Sequence, residues 1–416
     1  MEHNKTDVII IGAGLAGLTA AKVLRASGKS IRILEASDQV GGRVRTDQVD
    51  GFLLDRGFQV LLTAYPETGR FLDYDALDLR KFDPGALILN QNGITKIGDP
   101  IRQPSTLIST LRSPAGTFGD KMRMLGLKLK LAGKSIDEIF SEDQTTTLAY
   151  LKKAGFSELI LTEFFRPFMT GIFLEDKLST SSRMFEFVFK MFSEGDAAIP
   201  AKGMGMIPLQ LASGLSAGQI LFEQKVTEID GDTVRTSSGS IYRATSVLIA
   251  TDQMHLPKPF QQTVKSFHSV TNMYFTSASP PFTMPMIALN TLPGKLVNNI
   301  AVMDQISTDY SKNGDSLISL SLIGAHSGTD STELRARAVR EMQNWFPQAV
   351  NWKHLKTYHI PYALPDDDHV TNEPDHQVMK LNQHCFFCGD YLMNGSIHAA
   401  MKSGRLAAGA ILNSVN

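Results

Sequence analysis

The sequence predicts an α/β protein in which a parallel-sheet domain is built from both ends of the chain and carries an inserted domain of mixed helices and sheet. Three observations support this prediction. A strand, a glycine-rich loop, a helix and a second strand open the chain at residues 7–35, and a strand that leads into a helix closes it at residues 385–416. Between them lie long helical periodicities and short strand runs. The chain has 416 residues, more than one compact core usually supports, so two domains are expected.

The opening β-α-β unit is predicted in three parts. Residues 7–11 are a short apolar, β-branched run, which suits a strand buried on both faces. An alanine-rich helix follows to about residue 27, and Gly28 ends it. Residues 30–35 then alternate apolar and polar side chains, as a second strand does. This arrangement is typical of a Rossmann-like nucleotide-binding fold.

The loop between the first strand and the helix has the glycine spacing G-x-G-x-x-G. Gly12 permits a tight turn, Gly14 lets the backbone approach a pyrophosphate, and Gly17 lets the helix pack on the strand. The helix start also presents free N–H groups and the positive end of the helix dipole to phosphates. A glycine-rich turn without a ligand is the alternative. The predicted dinucleotide contacts are Gly12, Gly14, Leu15, Ala16 and Gly17.

Two features after this helix specify the nucleotide further. Glu35 ends the second strand 18 residues after Gly17, where its carboxylate can accept hydrogen bonds from a ribose and would repel a 2′-phosphate, which disfavours NADP. Gly41 and Gly42 allow a second loop to fold back over a pyrophosphate. Arg43 beside them can pair with a phosphate through its planar fork. A solvated surface arginine is the alternative.

Composition argues against several classes of protein. The 41 Lys+Arg and 42 Asp+Glu residues leave a net charge of -1, which argues against a nucleic-acid partner. Two cysteines cannot form a disulfide framework and suggest a reducing compartment. The first residues show no signal-peptide pattern, and no run of about 18 apolar residues occurs, so a cytoplasmic location without a transmembrane helix is expected. The 10 histidines have no metal-ligand spacing, so no metal is expected.

The motifs resemble those of a known family. The run from residue 7 to residue 43 is similar to the flavin-containing amine oxidase superfamily, which includes monoamine and polyamine oxidases, protoporphyrinogen oxidases and carotenoid desaturases. The resemblance implies non-covalently bound FAD, with Glu35 and the adjoining Ala36 at the adenosine ribose and Arg43 beside the pyrophosphate. Residues 54–60 are most similar to plant-type phytoene desaturases, where this stretch passes beside the flavin ring. That similarity assigns Gly57, Phe58 and Gln59 to the cofactor site.

A middle segment resembles the second FAD motif of the family. A hairpin at residues 224–239 is followed by an apolar strand that ends in Ala250-Thr251. The resemblance implies that the Val226 backbone meets the adenine, with Ala250 and Thr251 nearby. An ordinary core hairpin is the alternative reading of this segment.

The C-terminal segment resembles the family's flavin-binding motif. A strand ends in Gly389-Asp390, and a helix begins near Ser396. The resemblance implies that Asp390 accepts hydrogen bonds from ribitol hydroxyls. It also implies that the helix start, with Ser396 and Ile397, faces the N1–C2=O edge of the flavin, where a helix dipole stabilises negative charge.

Because the cofactor motifs lie at distant parts of the chain, the FAD-binding domain is predicted to be discontinuous. It would be of the type found in flavoproteins with two dinucleotide-binding motifs, and would comprise residues 1–80, 191–255 and 385–416. Residues 81–190 and 256–384 would form the inserted substrate domain.

One departure from the family pattern bears on the reaction. Ser396 stands where amine oxidases of the superfamily carry a tyrosine that forms one wall of an aromatic cage. The pattern therefore favours hydride transfer to flavin N5 from a C–H or C–N bond of a lipophilic substrate, in desaturase or oxidase chemistry. Oxygen, a quinone or a protein would accept the electrons. An amine oxidase with a non-standard pocket and a non-catalytic binding protein are the alternatives. No catalytic side chain is predicted.

Four further residues have reactive or charged side chains near apolar or cofactor-binding segments. Cys385 and Cys388 form C-x-x-C in an apolar strand, where positions three apart face opposite sides, which predicts buried structural thiols rather than a redox pair. Arg166 interrupts an aromatic run and either faces the active site or pairs with a carboxylate. His398 is either a site residue at the flavin helix or a polar residue of its first turn.

Residues 101–135 combine seven Lys or Arg with a single acid, Asp120. Apolar side chains are interspersed among these charges. A basic amphipathic element of this kind can lie on an anionic membrane surface and admit a lipophilic substrate. A solvated face of the substrate domain is the alternative. The apolar residues are Leu107, Ile108, Leu111, Met122, Leu125 and Leu129.

Overall fold

The computed structural model describes residues 6–99, 102–103, 115–216, 218–256, 260 and 266–414. Its strands in chain order are β1 (Thr6–Ile11), β2 (Ile31–Leu34), β3 (Thr46–Val49), β4 (Phe52–Asp55), β5 (Leu61–Leu62), β6 (Leu79–Lys81), β7 (Gly85–Asn90), β8 (Gly93–Gly98), β9 (Ala197–Pro200), β10 (Ile220–Leu221), β11 (Val226–Asp230), β12 (Thr233–Thr236), β13 (Ile241–Ile249), β14 (Phe267–Ser277), β15 (Ile287–Asn290), β16 (Val297–Val302), β17 (Ser316–Ile323), β18 (Lys353–Pro365) and β19 (Cys385–Phe387). Its helices are α1 (Leu15–Ala26), α2 (Pro66–Phe71), α3 (Tyr74–Leu77), α4 (Phe118–Ala132), α5 (Ile136–Ser141), α6 (Thr147–Lys153), α7 (Glu158–Ile160), α8 (Arg166–Phe173), α9 (Ser182–Glu194), α10 (Met206–Ala212), α11 (Met303–Ile306), α12 (Ser331–Met342), α13 (His376–Met379) and α14 (Ile397–Ser414).

One seven-stranded sheet contains both ends of the chain. Its order is β10-β2-β1-β13-β12-β11, with β19 also paired to β13. Strands β10, β2, β1, β13 and β19 are parallel, whereas β12 and β11 continue the sheet as an antiparallel hairpin. Strands β1 and β19 lie on either side of β13, so strands from the N-terminal and C-terminal parts of the chain share one sheet. The predicted α/β fold class is confirmed.

Strand β1 and helix α1 form as the sequence predicted. Val8 and Ile10 pack into the core on one face of the sheet, and Ile9 and Ile11 into the core on the other, because side chains alternate along a strand. Gly28 follows α1 with a φ of 78°, and its N–H donates to the carbonyl of a residue in the last helical turn. Glycine adopts this left-handed backbone conformation without strain, and the conformation ends the helix and turns the chain towards β2.

A second seven-stranded sheet has the order β18-β14-β17-β16-β15-β7-β8. It is antiparallel except where β15 runs parallel to β7. Its strands come from residues 85–98 and 267–365, whereas those of the first sheet come from residues 6–34, 220–249 and 385–387. The exact domain boundaries stay a prediction.

Helices α4 to α9 form a layer whose core is rich in phenylalanine. Phe165, Phe185 and Phe187 are fully buried, and their rings contact neighbouring aromatic rings at edge and tilted angles. Aromatic side chains bury large areas, so this cluster accounts for much of the stability of the layer. Among the described helices, none is both long and apolar enough to cross a membrane.

Asp47 on β3 joins the hairpin β3-β4 to the second sheet. Its carboxylate accepts from the guanidinium of Arg56, from the hydroxyl of Tyr358 at 2.7 Å and from the ammonium of Lys356 at 3.2 Å. Burial alone would raise the pKa of Asp47, but these donors, with Arg56 first, lower it to about 2. The hairpin is thereby attached to β18 by a charged cluster.

Asp55 at the end of β4 also joins the hairpin β3-β4 to other parts of the fold, but none of its hydrogen-bond partners is a cation. Its carboxylate is buried and accepts from the hydroxyls of Thr46 and Tyr310 and from the N–H of Met204. Its main-chain carbonyl accepts from the hydroxyl of Tyr274 on β14, at 3.0 Å. Burial raises the pKa of Asp55, and the three hydrogen bonds to the carboxylate offset only part of this effect. The resulting pKa is about 6.

This pKa predicts a pH dependence of stability. A carboxyl whose folded pKa lies above its unfolded value stabilises the fold below the unfolded pKa and loses that contribution as the pH rises through the folded pKa. Between pH 4 and pH 7, the unfolding free energy of the wild type should fall by about 2 kcal/mol relative to Asp55→Asn, which mimics the protonated acid. Urea titrations at several pH values measure this difference, and parallel curves for the two proteins would contradict the assignment.

Candidate functional site

A cavity of about 1050 Å³ starts at the C-terminal edge of the parallel sheet and extends to the second sheet and the helical layer. A ligand crevice at the carboxyl ends of parallel strands is the usual arrangement in such sheets. The predicted cofactor residues that line it are Gly12, Gly14, Leu15, Ala16, Glu35, Ala36, Gly42, Arg43, Gly57, Phe58, Gln59, Val226, Ala250, Thr251, Gly389, Asp390, Ser396 and Ile397. Segments more than 350 residues apart in sequence therefore meet in one cavity.

The glycine loop has the geometry that each glycine was predicted to allow. Gly12 has a φ of 103°, and Gly14 is the N-cap of α1, with no atom within 4 Å of the place where a Cβ would stand. Gly17 packs so closely on the first strand's loop that a Cβ would overlap the carbonyl oxygen of Gly12. Although it was predicted as a cofactor contact, Gly17 is not among the described residues that line the cavity. The N–H of Gly41 donates to the carbonyl of Ala13 at 2.9 Å, which holds the second loop on the first.

Gly14→Ala and Gly17→Ala are expected to differ in effect. A methyl group at Gly14 enters the cavity, so the unliganded protein should keep its stability within about 1 kcal/mol while its FAD affinity falls at least tenfold. A methyl group at Gly17 overlaps backbone, so the unliganded protein should lose about 3 kcal/mol. Urea unfolding and titration with FAD measure both quantities. Equal losses of stability in the two variants would contradict this assignment.

Glu35 is buried at the end of β2 and is held by protein donors. Its carboxylate accepts from the N–H of Ala13 at 2.7 Å and from the N–H and hydroxyl of Ser37 at 2.8 Å and 2.7 Å. A carboxylate has about four acceptor sites, so one remains for a ribose hydroxyl. The sequence identified Glu35 but not the three bonds that orient it.

Arg43 and Asp390 form an ion pair in the cavity wall. The guanidinium donates to Asp390 at 2.6 Å and to the carbonyl of Ala363 at 3.0 Å, which joins the N-terminal and C-terminal parts of the site. Burial alone would lower the pKa of Arg43, but Asp390, followed by Asp252 and Asp367, raises it. If Arg43 also contacts a phosphate, as predicted, its guanidinium must do so while it remains bonded to Asp390.

The described residues provide the surroundings that FAD requires. The N-terminus of α1 has no side-chain cap, so its N–H groups are available to phosphates at the open space beside Gly14. Gln59 donates to the carbonyl of Arg43, while its side-chain oxygen is buried without a hydrogen-bond partner in the described part of the chain. The cavity thus has an open anion-binding loop at this end.

The far part of the cavity is lined by aromatic and methionine side chains that the sequence did not single out as site residues. Phe164 and Phe168 stack with their ring centroids 5.3 Å apart, and Phe168 also contacts Phe192. The aromatic run at residues 164–168 was the one available signal. These lining residues are Phe82, Phe118, Met122, Met124, Phe164, Phe168 and Phe192, and the aliphatic side chains of Leu125 and Ile172 lie among them.

The two residues that the sequence left undecided lie outside this lining. Arg166 donates to the main-chain carbonyl of Asp176 rather than to a carboxylate side chain. His398 is buried in the first turn of α14, where its ring contacts the rings of Tyr65 and Phe187. Burial lowers the pKa of His398 to about 4, so its imidazole is neutral near pH 7.

Ser396 caps helix α14. Its hydroxyl accepts from the N–H of Ala399 at 3.0 Å and donates to the side chain of Asn394 at 2.7 Å. The short side chain is therefore occupied by helix capping and contributes no aromatic wall to the cavity. An amine cage of the usual kind would require a large side chain at this position.

The two cysteines are free and buried, as predicted for structural thiols. Cys385 packs in the core on one face of the parallel sheet and Cys388 in the core on the other. Burial raises the pKa of both thiols, which disfavours the reactive thiolate. Within the described part of the chain, no cluster of three or more His, Cys, Asp or Glu side chains is arranged to hold a metal ion.

The site and fold define a flavin-binding oxidoreductase class, and comparison with known proteins specifies the family. The model of the flavin containing amine oxidoreductase family matches residues 15–412. The chain belongs to this family, whose members depend on FAD.

Individual relatives are distant. Mitochondrial protoporphyrinogen oxidase from Nicotiana tabacum is 26% identical over 164 residues, which are 39% of this chain and 32% of that protein. Putrescine oxidase from Kocuria rosea is 51% identical over 53 residues, which are 13% of this chain and 11% of that protein. The matched segments thus span a third or less of these relatives.

Solved structures share the fold along the whole chain. A putrescine oxidase bound to putrescine has a TM-score of 0.73 and 16% identity, over 99% of this chain and 100% of that one. An oxidoreductase from Methanosarcina mazei has a TM-score of 0.72 and 16% identity, over 97% and 99% of the two chains. At this identity the likeness concerns the fold.

Proposed function

We propose that this protein is an FAD-dependent oxidoreductase that oxidises a C–H or C–N bond of a lipophilic substrate in desaturase or oxidase chemistry. One observation carries the proposal. A single cavity has the glycine loop and the Arg43–Asp390 pair at one end and phenylalanine and methionine side chains at the other. A polar end of this kind suits a dinucleotide, and an apolar end suits a substrate with a large hydrocarbon surface.

The residues of the chain bind and position the reactants. When bound, FAD supplies a flavin ring that accepts a hydride. The glycine loop and α1 would hold the phosphates, Glu35 the ribose, and the start of α14 the flavin edge, where the helix dipole favours negative charge. The phenylalanine lining would orient the substrate and exclude water, and neither task requires an acid or base.

Amine oxidation is the second candidate. The family description and the putrescine oxidase relative favour it, because both refer to amines. Ser396 weighs against it, since its hydroxyl caps a helix where an aromatic wall would be needed. The lining near Phe164 and Phe168 is also apolar, which suits a hydrocarbon better than a charged amine.

We further propose a cytoplasmic protein with peripheral contact to a membrane through helix α4. Phe118, Met122 and Leu129 are 68%, 51% and 65% exposed, and Arg123 and Lys130 flank them. Exposed apolar side chains beside basic ones suit an anionic lipid surface. Phe118 and Met122 also line the cavity, so substrate could enter from lipid. Leu107, Ile108 and Leu111 of the predicted element lie outside the described residues.

An anaerobic substrate panel tests the reaction. Purified protein with bound FAD is mixed with polyenes, other lipophilic hydrogen donors and a set of mono- and polyamines, and the flavin absorbance is followed. Bleaching by a lipophilic donor supports the proposal, and bleaching by amines alone would replace it with amine oxidation. Oxygen, a quinone and an artificial protein acceptor are then compared for reoxidation. A colourless protein that binds no added FAD would instead indicate a non-catalytic binding protein.

A further inference from the structure

A groove of about 770 Å³ lies on the helical layer, between α4 and α6, and shares none of its described lining residues with the large cavity. Three basic side chains line it. Arg123 and Lys130 are 47% and 51% exposed, and Lys153 in the last turn of α6 is exposed as well. A ligand can therefore reach these cations directly.

Two of the cations reach from α4 to α6 and are held in place there. The side chain of Arg123 packs on Gly155, where a Cβ would stand 3.1 Å from the arginine Nε. The ammonium of Lys130 lies 3.3 Å from the hydroxyl oxygen of Tyr150 and 5.4 Å from the centre of its ring, a cation–π contact. The nearest carboxylate to Arg123 among the described residues is that of Asp120, at 3.8 Å, which is too long for a hydrogen bond.

Gly126 leaves open the space between these two cations. It lies three residues after Arg123 and four before Lys130, so all three share one face of α4. Glycine is disfavoured inside a helix, yet no atom lies within 4 Å of the place where a Cβ of Gly126 would stand, so close packing does not require it. The missing side chain makes room for a ligand group between the guanidinium and the ammonium.

Two of the three acids that line the groove are neutralised by bonds to cations. Glu186 is buried, and one of its carboxylate oxygens accepts from the hydroxyl of Tyr150 at 2.6 Å and from Lys134 at 3.2 Å. Lys134 also pairs with Glu142 at 2.5 Å. Asp143, which is exposed, is the third acid. The lining therefore favours an anionic ligand.

The apolar face of α4 indicates the source of this anion. Phe118, Met122 and Leu129 are exposed on the same helix as the cations. When such a helix lies in a membrane surface, its apolar face enters the acyl region and the basic residues beside it lie at the level of the lipid phosphates. Arginine binds a phosphate through two parallel bonds, and lysine binds it as a point charge.

We propose that the groove between α4 and α6 binds the phosphate of an anionic phospholipid headgroup through Arg123, Lys130 and Lys153. The inference rests on the proposed membrane contact of α4 and extends it from a general surface to a defined site. A lipid held there would keep the entrance of the large cavity against the membrane, because Phe118 and Met122 line that cavity.

Sedimentation with vesicles tests this site on the protein with bound FAD. The wild type should bind phosphatidylcholine vesicles that contain phosphatidylglycerol and not vesicles of phosphatidylcholine alone. Lys153→Gln should lower the partition coefficient about fivefold. Arg123→Lys should lower it about threefold although the charge is kept, because an ammonium cannot form the paired bonds. Lys152→Gln is the matched control and should change it little, since Lys152 pairs with Glu158 at 2.8 Å and is not among the described residues that line the groove.

Gly126→Gln tests the site without changing a charge. Its side chain should fill the space between the cations and lower the partition coefficient as much as Lys153→Gln does. The thermal midpoint should stay equal or rise, because glutamine is favoured over glycine in a helix. Weaker vesicle binding in this variant would therefore not come from a destabilised helix.

The outcomes separate the headgroup site from the proposed membrane contact. Wild-type protein that binds neither kind of vesicle would overturn both. Equal losses in Lys153→Gln and Lys152→Gln, with Arg123→Lys unchanged, would overturn the headgroup site alone, because general surface charge would then account for the binding. Release of the wild type from the vesicles by glycerol phosphate would assign the groove to a soluble phosphate and would also overturn the lipid assignment.

Discussion

Replacing Gly404 with alanine is expected to lower the free energy of unfolding by about 3 kcal/mol. Gly404 lies in α14, where that helix packs against α1. A Cβ at this position would overlap the carbonyl oxygen of Ala16 and stand 2.9 Å from its carbonyl carbon. Both contacts are with backbone, which cannot rotate away as a side chain can, so one helix must shift. Because Ala16 is in the first turn of α1, the shift should also weaken FAD binding.

Gly409→Ala on the same helix is the matched control for this prediction. No atom lies within 4 Å of the place where its Cβ would stand. Alanine is favoured over glycine within a helix by about 1 kcal/mol, so this variant should be as stable as the wild type or more stable. Urea unfolding followed by circular dichroism compares the two variants. A Gly404→Ala protein as stable as Gly409→Ala would show that the helices tolerate a wider spacing.

The parallel sheet and its loops were predictable because local sequence determines them. The spacing of Gly12, Gly14 and Gly17 has a steric reason at each position, and the structure shows the expected turn, open space and close approach. The apolar run at β1 likewise implied burial on both faces. Gly28 followed the helix with the backbone conformation that ends it. Features of this kind depend on neighbours within a few residues, so a single sequence is enough to predict them.

The contacts that complete the site were not predictable in this way. Arg43 and Asp390 were each identified, but their pairing joins residues 347 positions apart and depends on how β13 brings β1 and β19 together. The aromatic lining comes from the helical layer, where Phe164 and Phe168 are as typical of a core as of a pocket. Only the tertiary packing distinguishes those two roles, because both produce the same apolar pattern in the sequence.

The buried carboxyl of Asp55 illustrates the same limit. The sequence placed Asp55 in a stretch predicted to pass beside the flavin, but it predicted no role for the side chain. In the fold its partners are Thr46, Tyr310 and Met204, which come from three separate segments. Burial raises its pKa, and none of these partners is a cation that would offset that effect. Asp47, eight residues earlier, has the opposite shift because Arg56 is near.

Asp390→Ala is expected to weaken FAD binding about 100-fold. Two losses combine in this variant. The predicted acceptor for ribitol hydroxyls is removed, and Arg43 loses the carboxylate that holds its guanidinium at 2.6 Å. The guanidinium of Arg43, whose side chain is 34% exposed, then keeps only its bond to the carbonyl of Ala363 and is no longer held in one place in the cavity wall. Fluorescence titration with FAD gives the Kd of each variant.

Asp38→Ala is the matched control, because it removes a surface carboxylate from a second ion pair with an arginine. Asp38 pairs with Arg45 at 2.8 Å, a distance close to that in the Arg43–Asp390 pair, but its side chain is 73% exposed. Asp38 is not among the described residues that line the cavity, so FAD affinity should be unchanged. Asp390→Ala protein that binds FAD as tightly as Asp38→Ala would place the cofactor away from the Arg43–Asp390 pair. Weaker FAD binding in Asp390→Ala alone would instead assign the C-terminal turn to the cofactor. Both variants remove a carboxylate that is paired with an arginine, but Asp390 lines the cavity and Asp38 is not among the described residues that do.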